Sequence, residues 1–308
     1  PALPDHARVR VLTPAGPVTP DLLETGLATL RDWGFEADLD EFVYARSDQR
    51  GYLAGADAQR LGAVQEAFDA PDLDAIIFSR GGYGSMRLLE QLDLEGLRAH
   101  PKLIVGFSDI TALHLWLASE GIGSLHGPVI KSFGLHDDDE HDSLDELRRA
   151  MTGDRAGGFR IEGLRTVVPG KARGRLLGGN LSLVASVVGT PYCPDLDGAL
   201  LFLEDVGEED YRLDRLITSI RLKAGSSSPA AILLGDFTDC GGAYFDDDAI
   251  EAFVGDLASE FGCPVVSGLP VGHDSRNVAL PVGARATLDA NEGVLYVEED
   301  AVRSPGKT

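Results

Sequence analysis

The chain has 308 residues, 44% of them hydrophobic and 25% charged, a balance ordinary for a soluble globular protein. Its formal charge of −23 argues against a nucleic-acid partner, because binding phosphates needs an excess of Lys and Arg. No run approaches the roughly 18 uninterrupted apolar residues of a membrane span. PALPDHARVRVL at the N-terminus has neither the basic nor the long apolar region of a secretory signal, so no membrane partner and a cytoplasmic location are expected. Cys193, Cys240 and Cys263 cannot all pair with one another and fit no zinc spacing; they read as buried thiols, with no metal site.

RVRVLTPAG (Arg8 to Gly16) reads as a short strand ending in a Pro/Gly loop. Thr19-Pro-Asp then opens a helix to about Trp33, with Pro20 at the first helical position, where its missing N–H costs nothing. A second helix is expected over Asp57–Phe68, a buried strand over Ala75–Phe78 ending in SRGGYGS, and a short helix through Leu89. Leu103–Gly106 is the next strand, followed by a helix from about Asp109 to Ser119. This alternation predicts an α/β fold whose N-terminal domain, residues 1–133, holds a Rossmann-like or flavodoxin-like parallel sheet with helices on both faces. Ligands of such sheets sit outside the carboxyl ends of the strands, where SRGGYGS and GFSD both fall.

Residues 134–170 change in texture, with the acidic HDDDEHDS, a helix near Leu144–Met151 and Gly/Arg-rich sequence up to Pro169-Gly170. They read as a linker, and the acidic run as a solvated charge cluster. Residues 171–308 form a C-terminal domain of mixed, strand-rich α/β character. Its expected strands are GALLFLEDV, AAILLGDF, CPVVSGLP, GARATLDA and GVLYVEE, with helices near Leu181–Val188, Tyr211–Leu222 and Asp246–Phe261.

Two strand-end loops carry candidate chemistry. Ser108, after the run LIVGF, reads first as a helix cap, worth about 1 kcal/mol. It also resembles a nucleophile elbow, although Ile110 replaces the second glycine of G-x-S-x-G. SRGGYGS reads as a tight turn, a phosphate cradle or an oxyanion hole, and the absence of a Lys-Ser/Thr ending speaks against a nucleotide loop. A serine nucleophile needs a base. His6, His100, His114, His136 and His141 are poorly placed in the pattern, which leaves His126 in LHGPV and His273 in PVGHDSRN unseparated. Glu204 and Asp205 follow a buried run, so one of them must end at the core boundary and need a partner.

Taken together, FSRGGYGSMRLL, VGFSDITALHLWL, LHGP, RGRLLGGNLSLVASVVGTPY, LLFLEDVGEEDYRLDRLITSIR and GLPVGHDSRNVALPVGARATLD resemble the LD-carboxypeptidase family in order and over nearly the whole chain. That family of serine peptidases includes muramoyltetrapeptide carboxypeptidase and the microcin C immunity peptidases. The resemblance implies Ser108 as nucleophile, Glu204 as orienting carboxylate and His273 as general base. It implies an oxyanion hole from the N–H of Asp109 and of Gly81 or Gly82, and no cofactor. The implied substrate is a murein tetrapeptide, cut at an L-to-D amide to release D-alanine in peptidoglycan recycling; the immunity branch instead cleaves an aminoacyl-nucleotide amide. Arg80, Tyr83, Arg87 and Arg276, beside the motifs, are candidates for substrate contact, and a homodimer is implied. A phosphate- or nucleotide-binding protein using SRGGYGS is the alternative of another class.

Overall fold

The structure, a computed structural model, describes residues 2–134, 138–155, 157–225, 227–241, 249–250, 254–255, 262–274 and 276–298. The first half alternates strand and helix: β1 (Arg8–Leu12), α1 (Pro20–Asp32), β2 (Glu36–Leu39), α2 (Asp57–Asp69), β3 (Ala75–Phe78), α3 (Glu95–Ala99), β4 (Leu103–Gly106), α4 (Thr111–Ser119) and β5 (Ser124–His126). The five strands are parallel in the order β2-β1-β3-β4-β5, the flavodoxin order. β3 and β4 are buried along their whole length, as continuous apolar runs sandwiched between helices must be. Helix α4 is buried from Thr111 to Ala118. Its sequence TALHLWLA is apolar all round, the pattern of a helix packed on every side.

The second half comprises α5 (Asp138–Thr152), β6 (Phe159–Ile161), β7 (Arg165–Val168), β8 (Lys171–Asn180), α6 (Leu181–Val187), β9 (Leu200–Val206), α7 (Asp210–Ala224), β10 (Ala231–Thr238), β11 (Val265–Ser267), β12 (Leu280–Val282), β13 (Arg285–Asp289) and β14 (Val294–Val297). An eight-stranded mixed sheet runs β6-β14-β13-β8-β9-β10-β11-β7. The long β8 joins its two parts: Lys171–Arg175 pair antiparallel with β13, and Leu176–Asn180 pair parallel with β9. At Gly178 a Cβ would stand 1.9 Å from the Phe202 carbonyl oxygen, so only glycine lets the strands approach there. One apolar cluster fills the α1/α5 side of the first sheet; the other runs from its α2/α4 side into the second sheet, so the halves share a core. No described helix is long and apolar enough to cross a membrane.

Parts of the fold differ from the sequence reading. The stretch expected as linker supplies α5 and both edge strands of the second sheet, β6 and β7. Leu144, Leu147, Ala150 and Met151 form the buried stripe of α5, where the sequence placed a helix inside the expected linker. β6 and β7 are short and half-exposed, as edge strands are, and so lack a clean alternation. β12 leaves the C-terminal half to pair antiparallel with β5 and completes the edge of the first sheet. The helix expected over Asp246–Phe261 lies largely, and His136 wholly, outside the described residues.

Candidate active site

β4 ends at Gly106 and the chain turns sharply through Phe107 into a 3-10 turn, Ser108–Ile110, that leads into α4. Ser108 sits at φ +63°, in the left-handed region that disfavours any residue with a Cβ by about 1–2 kcal/mol. Its hydroxyl caps neither the 3-10 turn nor α4, contrary to the cap expectation. Instead Ser108 Oγ lies 3.0 Å from His273 Nε2, and His273 Nδ1 lies 2.7 Å from Glu204 Oε2.

Strand alternation sorts the two carboxylates of β9, because neighbouring residues point to opposite faces. Glu204 is fully buried and faces His273; burial pushes its pKa up, and the histidine partly offsets that. Asp205 points the other way and accepts from Asn180 Nδ2 at 2.8 Å, Ser182 N at 3.0 Å and Ser182 Oγ at 2.8 Å, which ties down the start of α6. Asn180 N in turn donates to Thr111 Oγ1 at 2.9 Å, fastening the first residue of α4 to the end of β8.

The two histidines left open by the sequence separate cleanly. His273 reaches the serine from the β11–β12 connection, its ring tilted against Phe107 at 4.9 Å between centroids. His126 is fully buried between the edges of Phe107 and Phe202, and neither ring nitrogen is in hydrogen-bonding geometry. Burial, with the nearby His114 and His273, pushes its pKa down to about 3, so it is neutral. His114 is also buried, bonded to Gly106 O at 2.7 Å and Ser124 Oγ at 2.8 Å, and burial lowers its pKa to about 4.

The glycine loop meets the serine directly. A Cβ on Gly81 would stand 2.9 Å from Ser108 Oγ and 3.3 Å from Asp109 N. The carboxylate of Asp109, fully buried, accepts from Gly84 N at 3.2 Å and Ser85 N at 2.8 Å, while Ser85 Oγ donates to Asp109 O at 2.6 Å. Burial raises the Asp109 pKa against these donors. Arg60, 2% exposed, braces the same loop by donating to Gly84 O at 2.9 Å, and it also bonds Pro14 O and Asp57. Gly81 itself has no positive φ, so alanine fits the backbone there but not the space beside the hydroxyl. Gly81→Ala should therefore leave the thermal midpoint within a few degrees and lower turnover about 100-fold or more, the scale of a misplaced reacting group. Steady-state kinetics beside a melting curve checks both.

A cavity of about 350 Å³ opens in front of Ser108, lined among others by Arg80, Gly82, Phe107, Lys131 and His273. The other expected contact residues fare differently. Tyr83 is 41% exposed beside Tyr52, over a neighbouring shallow depression. Arg87 is held by Asp57, which raises its pKa, and Arg276 is exposed; neither lines the cavity. The three cysteines have thiols whose pKa burial raises to about 12 for Cys193 and about 11 for Cys240 and Cys263, so they are poor nucleophiles. Lys131, Arg60 and the Asp109 carboxylate escaped the sequence reading, because each acquires its role only where distant loops meet.

Residues 9–127 match the LD-carboxypeptidase N-terminal domain and residues 173–288 the C-terminal domain of the same family. A Streptomyces coelicolor protein provisionally named a carboxypeptidase is 39% identical over 303 residues, covering 97% of this chain and 96% of its own. The murein tetrapeptide carboxypeptidase of Pseudomonas aeruginosa is 34% identical, with 94% of this chain and 95% of the relative aligned. Among solved structures, a muramoyltetrapeptide carboxypeptidase from Oxalobacter formigenes superposes with a TM-score of 0.83 at 30% identity, covering 96% of this chain and all of that one. With both halves matched in order and the fold shared end to end, the chain belongs to the LD-carboxypeptidase family.

Proposed function

We propose that the protein is a serine carboxypeptidase that hydrolyses an L-to-D amide bond and releases the C-terminal D-alanine of murein tetrapeptides. The observation that carries this reading is the hydrogen-bonded line Ser108–His273–Glu204 at the floor of a cavity, with the Gly81 backbone against the serine. With Glu204 ionised, His273 Nδ1 carries the hydrogen and Nε2 is free to accept the Ser108 proton. Ser108 Oγ then attacks the scissile carbonyl, and the negative charge forming on its oxygen is received by the N–H of Asp109 and of Gly81 or Gly82. The proton on His273 passes to the departing amine, which leaves an acyl-serine, and water activated by the same histidine releases the acid. No step requires a cofactor.

A phosphate cradle is disfavoured, because the Gly84 and Ser85 amides of the SRGGYGS loop already serve Asp109. A homodimeric state, readable by light scattering, and a place in peptidoglycan recycling belong to the same proposal and rest on the family resemblance, whereas the cytoplasmic location rests on the features of PALPDHARVRVL.

The test offers murein tetrapeptide to the wild-type protein and follows D-alanine by mass spectrometry. Stoichiometric D-alanine and tripeptide are expected. No cleavage of the peptide, together with cleavage of an aminoacyl-sulfamoyl nucleotide, would move the substrate to the immunity branch of the family.

A further inference from the structure

The cavity in front of Ser108 contains two cations that the proposed chemistry does not use. Arg80 follows β3 and donates Nη1 to Pro17 O at 2.8 Å. Lys131 lies in the 3-10 turn Ile130–Gly134, and its backbone N–H is pinned to Ser79 O at 2.8 Å, so both side chains start from the same strand end. Among the described residues neither side chain forms an ion pair, in a chain with 50 Asp and Glu against 27 Lys and Arg. Arg10, Arg60, Arg87 and Arg98, by contrast, all pair with acids. Asp274 lines the same cavity but engages a partner of its own. Two like charges lining one cavity repel each other and lose hydration, and burial first and Arg80 second lower the Lys131 pKa. An anion seated between them would remove that penalty.

We propose that Arg80 and Lys131 together bind the terminal α-carboxylate of the substrate and so confine cleavage to the last residue of a peptide. This rests on the peptidase reading above. A carboxylate is planar and accepts along two parallel directions, which suits a guanidinium that has donors left beyond the Nη1–Pro17 bond, with the Lys131 ammonium as a second charge. A peptide that continued past the scissile bond would present a neutral amide at this point. Both cations would then stay uncompensated, so the pair selects against internal bonds as well as for free ends.

The experiment compares the tetrapeptide with its C-terminal amide, both as substrates of the active protein and as ligands of Ser108→Ala by calorimetry. The unmodified site should favour the acid, and Lys131→Met should weaken binding and cleavage of the acid about 10- to 100-fold, the scale of a lost charge-assisted contact. The amide should change little, and Lys131→Arg should restore most of the preference. Arg80→Met should act in the same direction. Equal losses on acid and amide, or a loss that tracks a side-chain carboxylate on the acyl residue, would overturn the clamp while leaving the peptidase reading intact. Acid-selective binding by Ser108→Ala without peptide cleavage by the active protein would sustain the clamp and overturn the peptidase reading. Absence of binding to either peptide, together with no cleavage by the active protein, would overturn both.

Discussion

Ser108→Ala should lower turnover of the tetrapeptide by about a million-fold, leaving only what the oxyanion donors and substrate positioning supply. The variant should fold normally, because the Ser108 hydroxyl supports no helix and makes its one described hydrogen bond to His273. A companion, Ser108→Gly, separates chemistry from backbone. At φ +63° the serine carries a penalty that glycine does not, of about 1 kcal/mol once the flexibility of glycine in the unfolded chain is counted. Ser108→Gly should therefore be as inactive as Ser108→Ala and at least as stable as the wild type. Stored backbone strain of this kind is a mark of functional positions. Undiminished D-alanine release by either variant would remove Ser108 from the nucleophile's role, and a clear drop in denaturation midpoint for Ser108→Gly would remove the strain.

Glu204→Gln should lower turnover less, about 10,000-fold, because an amide can donate to His273 Nδ1 and turn the wrong nitrogen toward the serine. Its effect on stability should have the opposite sign. Burial raises the Glu204 pKa above that of the unfolded chain, so the native state holds a proton more tightly than the unfolded state does. Stability is then greatest below the unfolded carboxylate value of about 4.3 and falls as pH rises through the interval up to the native pKa. Glutamine has no proton to lose and escapes that fall. The melting temperature of Glu204→Gln relative to wild type should accordingly rise between pH 4 and pH 8. A gap that stayed flat or narrowed over that range would show that the partnership with His273 outweighs the desolvation of the buried carboxylate.

Much of the first sheet was legible because its code is local. AIIF and LIVG are buried apolar runs bounded by glycine, and the structure places β3 and β4 on those residues. The helices beginning at Pro20 and Asp57 likewise announce themselves through Pro at the first position and through periodicity. Ser108 was ambiguous for a physical reason: a serine between a strand and a helix has the same neighbours in sequence whether its hydroxyl points back at the helix or outward. The difference is the sign of φ, which local sequence does not report. The choice of His273 over His126 was beyond local sequence altogether. It depends on a contact across 165 residues, and only the resemblance to a family supplied it.

Other features stayed hidden because their meaning is made by tertiary structure. Asp109 invited attention for its N–H, yet its side chain staples the glycine loop through Gly84 and Ser85. Lys131, in an unremarked GPVIKSFG stretch, is delivered to the cavity by a backbone bond to Ser79. Arg87 looked like a ligand contact because it lies near the loop in sequence, but Asp57 on α2 captures it first.

β12 gives the order in which this molecule must be finished during translation. Five strands of the first sheet are complete once His126 has left the ribosome, but the outer edge of β5 has no neighbour until Leu280–Val282 emerge. Until then the nascent sheet presents open N–H and C=O groups, the template on which other chains add strands. The segment that closes this edge follows directly on the one bearing His273. A newly made chain therefore gains protection from strand addition and the partner of Ser108 in a single late docking event, and an unfinished chain has neither.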